Sequence, residues 1–132
     1  MANDYDEFIV RQQQEYTQRV ESTIGELSAY ILGEEKHSRP FFRNFFNRYD
    51  PQISSQIKKL QDTQLTPNQK LAAVLLLYQS SKDHNESQLS QIIANALNTL
   101  DNGISADVTI PFQRAAIEEY QSQNATSLAK MH

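Results

Sequence analysis

Apolar positions recur at helical spacing along almost the whole chain, broken by short polar runs. From Asp4 to about Leu32 they fall at Tyr5, Phe8, Ile9, Tyr16, Val20, Ile24, Leu27, Tyr30 and Ile31. At about 100° per residue these positions lie within roughly 160° of arc, which predicts one long amphipathic helix. Gln12 and Gln13 interrupt the stripe, Gly25 sits on its back and permits a bend, and Gly33 is a natural stop. About 29 residues of helix would be about 43 Å long, more than a bundle of this mass can cover. The first turns, around Tyr5, Phe8 and Ile9, are therefore candidate contacts for a partner or a second copy of the chain. The competing reading bends the helix near Gly25 and folds it back.

A second helix is predicted from about Arg39 to Tyr49. Phe41, Phe42, Phe45, Phe46 and Tyr49 share one arc of roughly 140°, with Arg43, Asn44, Asn47 and Arg48 on the rest of the circle. Asp50 followed by Pro51 reads as an N-cap and first helical residue, opening a short third helix through Ile53, Ile57 and Leu60. Thr66-Pro67-Asn68-Gln69 has the spacing of a capping box. The helix it opens, about 67–81, contains Leu71-Ala-Ala-Val-Leu-Leu-Leu-Tyr78 and is apolar all round, which predicts a central position with Leu71, Val74, Leu75, Leu76 and Tyr78 largely buried.

Asn85 is the expected cap of a fifth helix through Leu89, Ile92, Ile93, Ala96, Leu97 and Leu100, stopped by Asp101-Asn102-Gly103. The segment Ile104 to Ile110 is too short to hold a sheet and reads as a loop, with Thr109 capping a sixth helix that enters through Pro111. The fold class is all-α: a compact bundle of five or six helices with a long N-terminal helix, forming a single domain over 1–132 whose last residues fray.

Composition narrows the function without naming it. The chain has no cysteine, three histidines and three widely spaced glycines. Disulfide scaffolds, thiolate metal sites and cysteine nucleophiles are excluded, and no phosphate-cradling or dinucleotide loop can be written. Glu34-Glu35-Lys36-His37 holds one Glu-x-x-His, but a di-iron site needs a second copy and two more glutamates. No catalytic residue, metal site or cofactor is therefore expected. The longest apolar run, Leu71 to Tyr78, falls well short of the roughly 20 residues of a membrane span. The acidic start, Met1 to Glu7, is not a signal peptide.

The net charge of −4 conceals three blocks. Residues 1–35 carry −6, residues 36–82 carry +6 and residues 83–132 carry −4. The basic middle either neutralises the acidic ends within the fold or faces an acidic partner. Arg39, Arg43 and Arg48 lie opposite the aromatic arc and are the candidate contacts of that block.

Three features carry a resemblance. Usage of Gln, Asn, Ser and Lys is rich, cysteine is absent, and Glu118-Glu119-Tyr120 is followed by the small polar run Gln121-Ser-Gln-Asn-Ala-Thr-Ser127. In these the chain resembles the small helical effectors that Legionella-type bacteria inject through a type IV secretion system. That resemblance implies a host-protein partner and supplies no catalytic residue. Six short helices also look like the death-domain superfamily in helix number.

The leading expectation is a non-enzymatic protein–protein interaction domain, contacting its partner through Arg39, Arg43 and Arg48 or through Tyr5, Phe8 and Ile9. The alternatives are nucleic-acid binding by the basic block 36–82 and an enzyme with an unrecognised site. A homo-oligomer would form through the first helix. The chain is expected in the cytoplasm, or in a host cell if the effector resemblance holds.

Overall fold

The computed structural model describes residues 4–42 and 49–131, with side chains over 4–33 and 49–123. It is a compact bundle in which every regular element is helical among the described residues. The helices are α1 (Asp4–Arg19), a π-helical stretch (Val20–Ile24), α2 (Gly25–Phe42), α3 (Pro51–Lys59), α4 (Pro67–Asp83), α5 (Ser87–Asp101) and α6 (Ala106–Met131). The first three form one uninterrupted helical run.

The irregular turn follows from the spacing of the buried side chains. Tyr16, Val20 and Ile24 are buried at successive steps of four, followed by Leu27 and Ile31. Each step of four would walk the stripe about 40° around a regular helix. The wider π turn takes up the surplus residue, keeping Tyr16 and Ile31 on the same core. The helix neither stops nor folds back at Gly25.

Gly33 does not end the helix. It carries a right-handed backbone like its neighbours, and α2 continues to Phe42. Glycine inside a helix costs only about 0.5–1 kcal/mol relative to alanine, and the residues after it favour helix. Arg39 to Phe42 therefore form the end of α2 rather than the start of a separate second helix. The rest of the aromatic segment, residues 43–48, lies outside the described residues. Tyr49, just beyond it, is buried.

The local caps at α3 and α4 form as their sequences require. The Asp50 carboxylate accepts from the Gln52 N–H at 2.9 Å, with Pro51 in the first turn. Thr66 Oγ1 accepts from the Gln69 N–H at 3.2 Å, and Gln69 Oε1 accepts from the Thr66 N–H at 2.9 Å. Ile53, Ile57 and Leu60 are buried.

α4 is the centre of the bundle, packing against α3, α5, α6 and the π turn. Leu71, Ala72, Ala73, Val74 and Leu77 are buried. Leu75, Leu76 and Tyr78 are only half-buried, because four neighbours do not close the whole circumference.

Two helix starts differ from the sequence reading. Asn85 does not cap α5; it adopts the left-handed backbone, φ 58°, that closes α4. The Asn85 N–H donates to the Lys82 carbonyl at 3.2 Å and the Glu86 N–H to the Ser81 carbonyl at 2.8 Å, the paired bonds of a Schellman ending. α5 then begins at Ser87 with no side-chain cap.

Likewise α6 starts at Ala106, not Pro111. Ser105 Oγ accepts from the Asp107 N–H at 3.2 Å, and the Ser105 carbonyl takes the first helical bonds from Val108 and Thr109. Pro111 sits inside the helix, where its missing N–H leaves only the Asp107 carbonyl without its usual partner. The expected loop Ile104–Ile110 is therefore mostly the first turns of α6. Gly103, φ 76°, makes the reversal after α5 as its position requires.

Candidate functional site

α1 reaches the rest of the bundle through polar side chains more than through apolar ones. Gln12 Nε2 donates to the Gly103 carbonyl at 3.0 Å, and Gln12 Oε1 accepts from the Ser105 N–H at 2.8 Å. One glutamine thus satisfies both sides of the α5–α6 corner. The residue that interrupts the apolar stripe is the clamp on that corner.

A turn further on, Tyr16 is fully buried, and its hydroxyl donates to Asp101 Oδ1 at 2.7 Å. Gln113 Nε2 donates to the same hydroxyl at 2.7 Å, and the Phe112 ring meets the Tyr16 ring edge-on at 4.9 Å. Burial raises the Tyr16 phenol above its ordinary value; the bond donated by Gln113 opposes this, and the Asp101 carboxylate adds to it. Arg19 completes the row, donating to the Leu100 and Asn102 carbonyls at the end of α5.

Toward the N-terminus the burial stops. No residue from Asp4 to Glu15 is buried, and only Ile9 and Gln12 are half-buried. Tyr5, Phe8 and Val10 are 53%, 42% and 50% exposed. The Tyr5 hydroxyl donates to Asp107 Oδ2 in the first turn of α6, and that bond raises its phenol pKa. Asp107, Ile110 and Gln113 form one row of α6 at steps of three, and the outer two bond Tyr5 and Tyr16 of α1. Ile110 stands between them, 54% exposed. Tyr5 and Ile110 therefore stand open to solvent where α1 meets α6, with Asp107 bonded to Tyr5 and with Asp4 and Phe8 on the adjoining side of α1, while Asp6 and Glu7 lie with Val10 and Arg11 on its outer face.

The structure brings Tyr5, Phe8 and Ile9 together on the first turns of α1, with Ile9 packed against the core and the other two exposed. Arg39 is in the last turns of α2, its side chain outside the described part, and Arg43 and Arg48 lie outside the described residues altogether. Ile110 and Asp107 escape the sequence reading because it begins α6 too late. With the helix begun at Ser105, the 107/110/113 row is readable. On the surface, His84 Nδ1 stands 4.0 Å from Asp50 Oδ2.

Among the described residues no three His, Cys, Asp or Glu side chains gather at metal-binding distance, and no helix is long and apolar enough to cross a membrane. No protein-family model, curated protein or solved structure matches the chain.

Proposed function

We propose that this chain is a protein-interaction domain whose contact is the N-terminal half of α1 together with the start of α6. One observation carries the reading. The apolar stripe of the long helical run extends from Tyr5 to Ile31, but its burial begins only at Tyr16, leaving Tyr5 and Phe8 about half exposed, and Ile110 of α6 is about half exposed as well. Large apolar residues clustered at an exposed seam mark contact sites more often than isolated ones do. The carboxylates of Asp4 and Asp107 favour a partner face that is apolar at its centre and basic at its rim. On the strength of the tail that resembles a type IV secretion signal, that partner is a host protein.

A photo-crosslinking residue placed at Phe8 tests the contact, with one at the exposed Gln88 as reference. The partner captured at position 8 should be basic, should release as salt rises and should not bind the Phe8→Asp variant. Equal capture at the two positions overturns the reading. The host assignment is tested separately by a translocation reporter, which should lose its signal when residues 121–132 are removed.

A further inference from the structure

A second surface lies on the opposite branch of the long helical run. Among the described residues α5 packs closely against the π turn but scarcely touches α2 beyond it, so a groove opens where the two helices part. It is an open depression of about 470 Å³. One wall is Thr23, Glu26, Leu27 and Tyr30, and the other is Ile92, Asn95, Ala96 and Thr99. Each set is spaced i, i+3, i+4, i+7. Each wall is therefore one two-turn helical face, roughly 10 Å long, turned toward a space that no third helix enters among the described residues.

We propose that this groove docks an amphipathic helix of another protein that carries a Lys or Arg aligned with Glu26. The form of the occupant follows from the walls. Both belong to helices whose backbone groups are bonded within them, so an extended peptide would find no main-chain partners; a helix brings its own bonds already made. The small Ala96 on one wall permits the close approach that helices need, about 8–10 Å between axes. Leu27 is buried and forms the floor, the half-buried Ile92 offers apolar contact, Tyr30 stands 53% exposed at the edge, and Thr23, Asn95 and Thr99 supply a polar rim. Its charge follows from Glu26, the one ionisable group among these eight residues apart from the Tyr30 phenol.

The probe is a stapled helical peptide of about three turns, roughly 11 residues, with leucine and alanine on one face and a lysine at its centre. A twin carries glutamate in place of the lysine. On adding the lysine peptide, backbone NMR shifts should concentrate at Thr23, Leu27, Tyr30, Ile92, Ala96 and Thr99. The glutamate twin should bind at least about tenfold more weakly, and Glu26→Gln should remove that difference. Ala96→Gln should abolish binding; should it fail to fold, Tyr30→Ala, at an exposed position, should weaken binding instead. Phe8→Asp should leave binding unchanged, which separates this groove from the α1–α6 seam. Absent shifts, shifts at the seam, or equal affinity for the two peptides would overturn the proposal. So would self-association of the wild type that Ala96→Gln abolishes, since a second copy would then fill the groove.

Discussion

Arg19 lays its guanidinium across the end of α5, donating to the Leu100 carbonyl at 3.2 Å and also to that of Asn102. The last carbonyls of a helix lack internal partners and carry the negative end of its dipole, so a cation is favoured there. The same side chain bonds Glu15 at 2.8 Å on its own helix.

Arg19→Met should therefore lower unfolding free energy by about 1–2 kcal/mol, the range for charge-assisted bonds after allowing for a partly exposed site. Glu15→Gln should change it by less than about 0.5 kcal/mol, because exposed i,i+4 pairs contribute little. Urea titration of both variants checks the contrast.

Tyr16 sets the alkaline limit. Its phenol pKa in the fold is raised above the ordinary 10.0, so the folded chain keeps a proton that the unfolded chain releases. That contribution is complete below pH 10.0 and is lost as the pH rises above it. Tyr16→Phe should lower stability at neutral pH by about 1–3 kcal/mol, since Asp101 and Gln113 lose a buried partner. Above pH 10.0 the variant should lose stability less steeply than the wild type. Denaturant unfolding followed across that range measures both effects.

At Asn85 the backbone decides the outcome. Its φ of 58° is strained for a residue with a Cβ but not for glycine. Asn85→Ala should cost about 1 kcal/mol, while Asn85→Gly should be neutral within about 0.5 kcal/mol. Melting temperatures of the two variants rank them.

Pro111 is the opposite case. Pro111→Ala restores an N–H that can reach the Asp107 carbonyl, a gain offset in part by a freer unfolded chain. A net stabilisation of about 1 kcal/mol is expected, read from the same unfolding curves.

What could be read from the sequence was whatever neighbouring residues decide between themselves. Asp50 with Gln52 and Thr66 with Gln69 close their caps within a few residues, so spacing alone was enough to place α3 and α4. Asn85 was misread because asparagine suits both a helix start and a left-handed ending, and only the bonds to Ser81 and Lys82 decide. Pro111 suggested a first turn, but Ser105 had already supplied the cap. The exposed Tyr5 and Phe8 follow from periodicity and helix length. The clamp by Gln12 does not, since Gly103 lies 91 residues away. The groove is hidden for the same reason: its walls belong to helices far apart in sequence.

That turn also fixes the phase of the chain before it. Winding Val20–Ile24 as an ordinary helix with its residue count unchanged would rotate everything N-terminal by about 100°. Arg19, Tyr16 and Gln12 would then swing away from Leu100, Asp101 and Gly103 together. Glu21 and Ser22 are exposed, so exchanging their side chains disturbs little. Residue count and winding of this stretch are thus tied to each other more strictly than to the identity of its outward positions: a one-residue loss that also removes the π turn keeps the N-terminal arm docked, while losing either one alone undocks it.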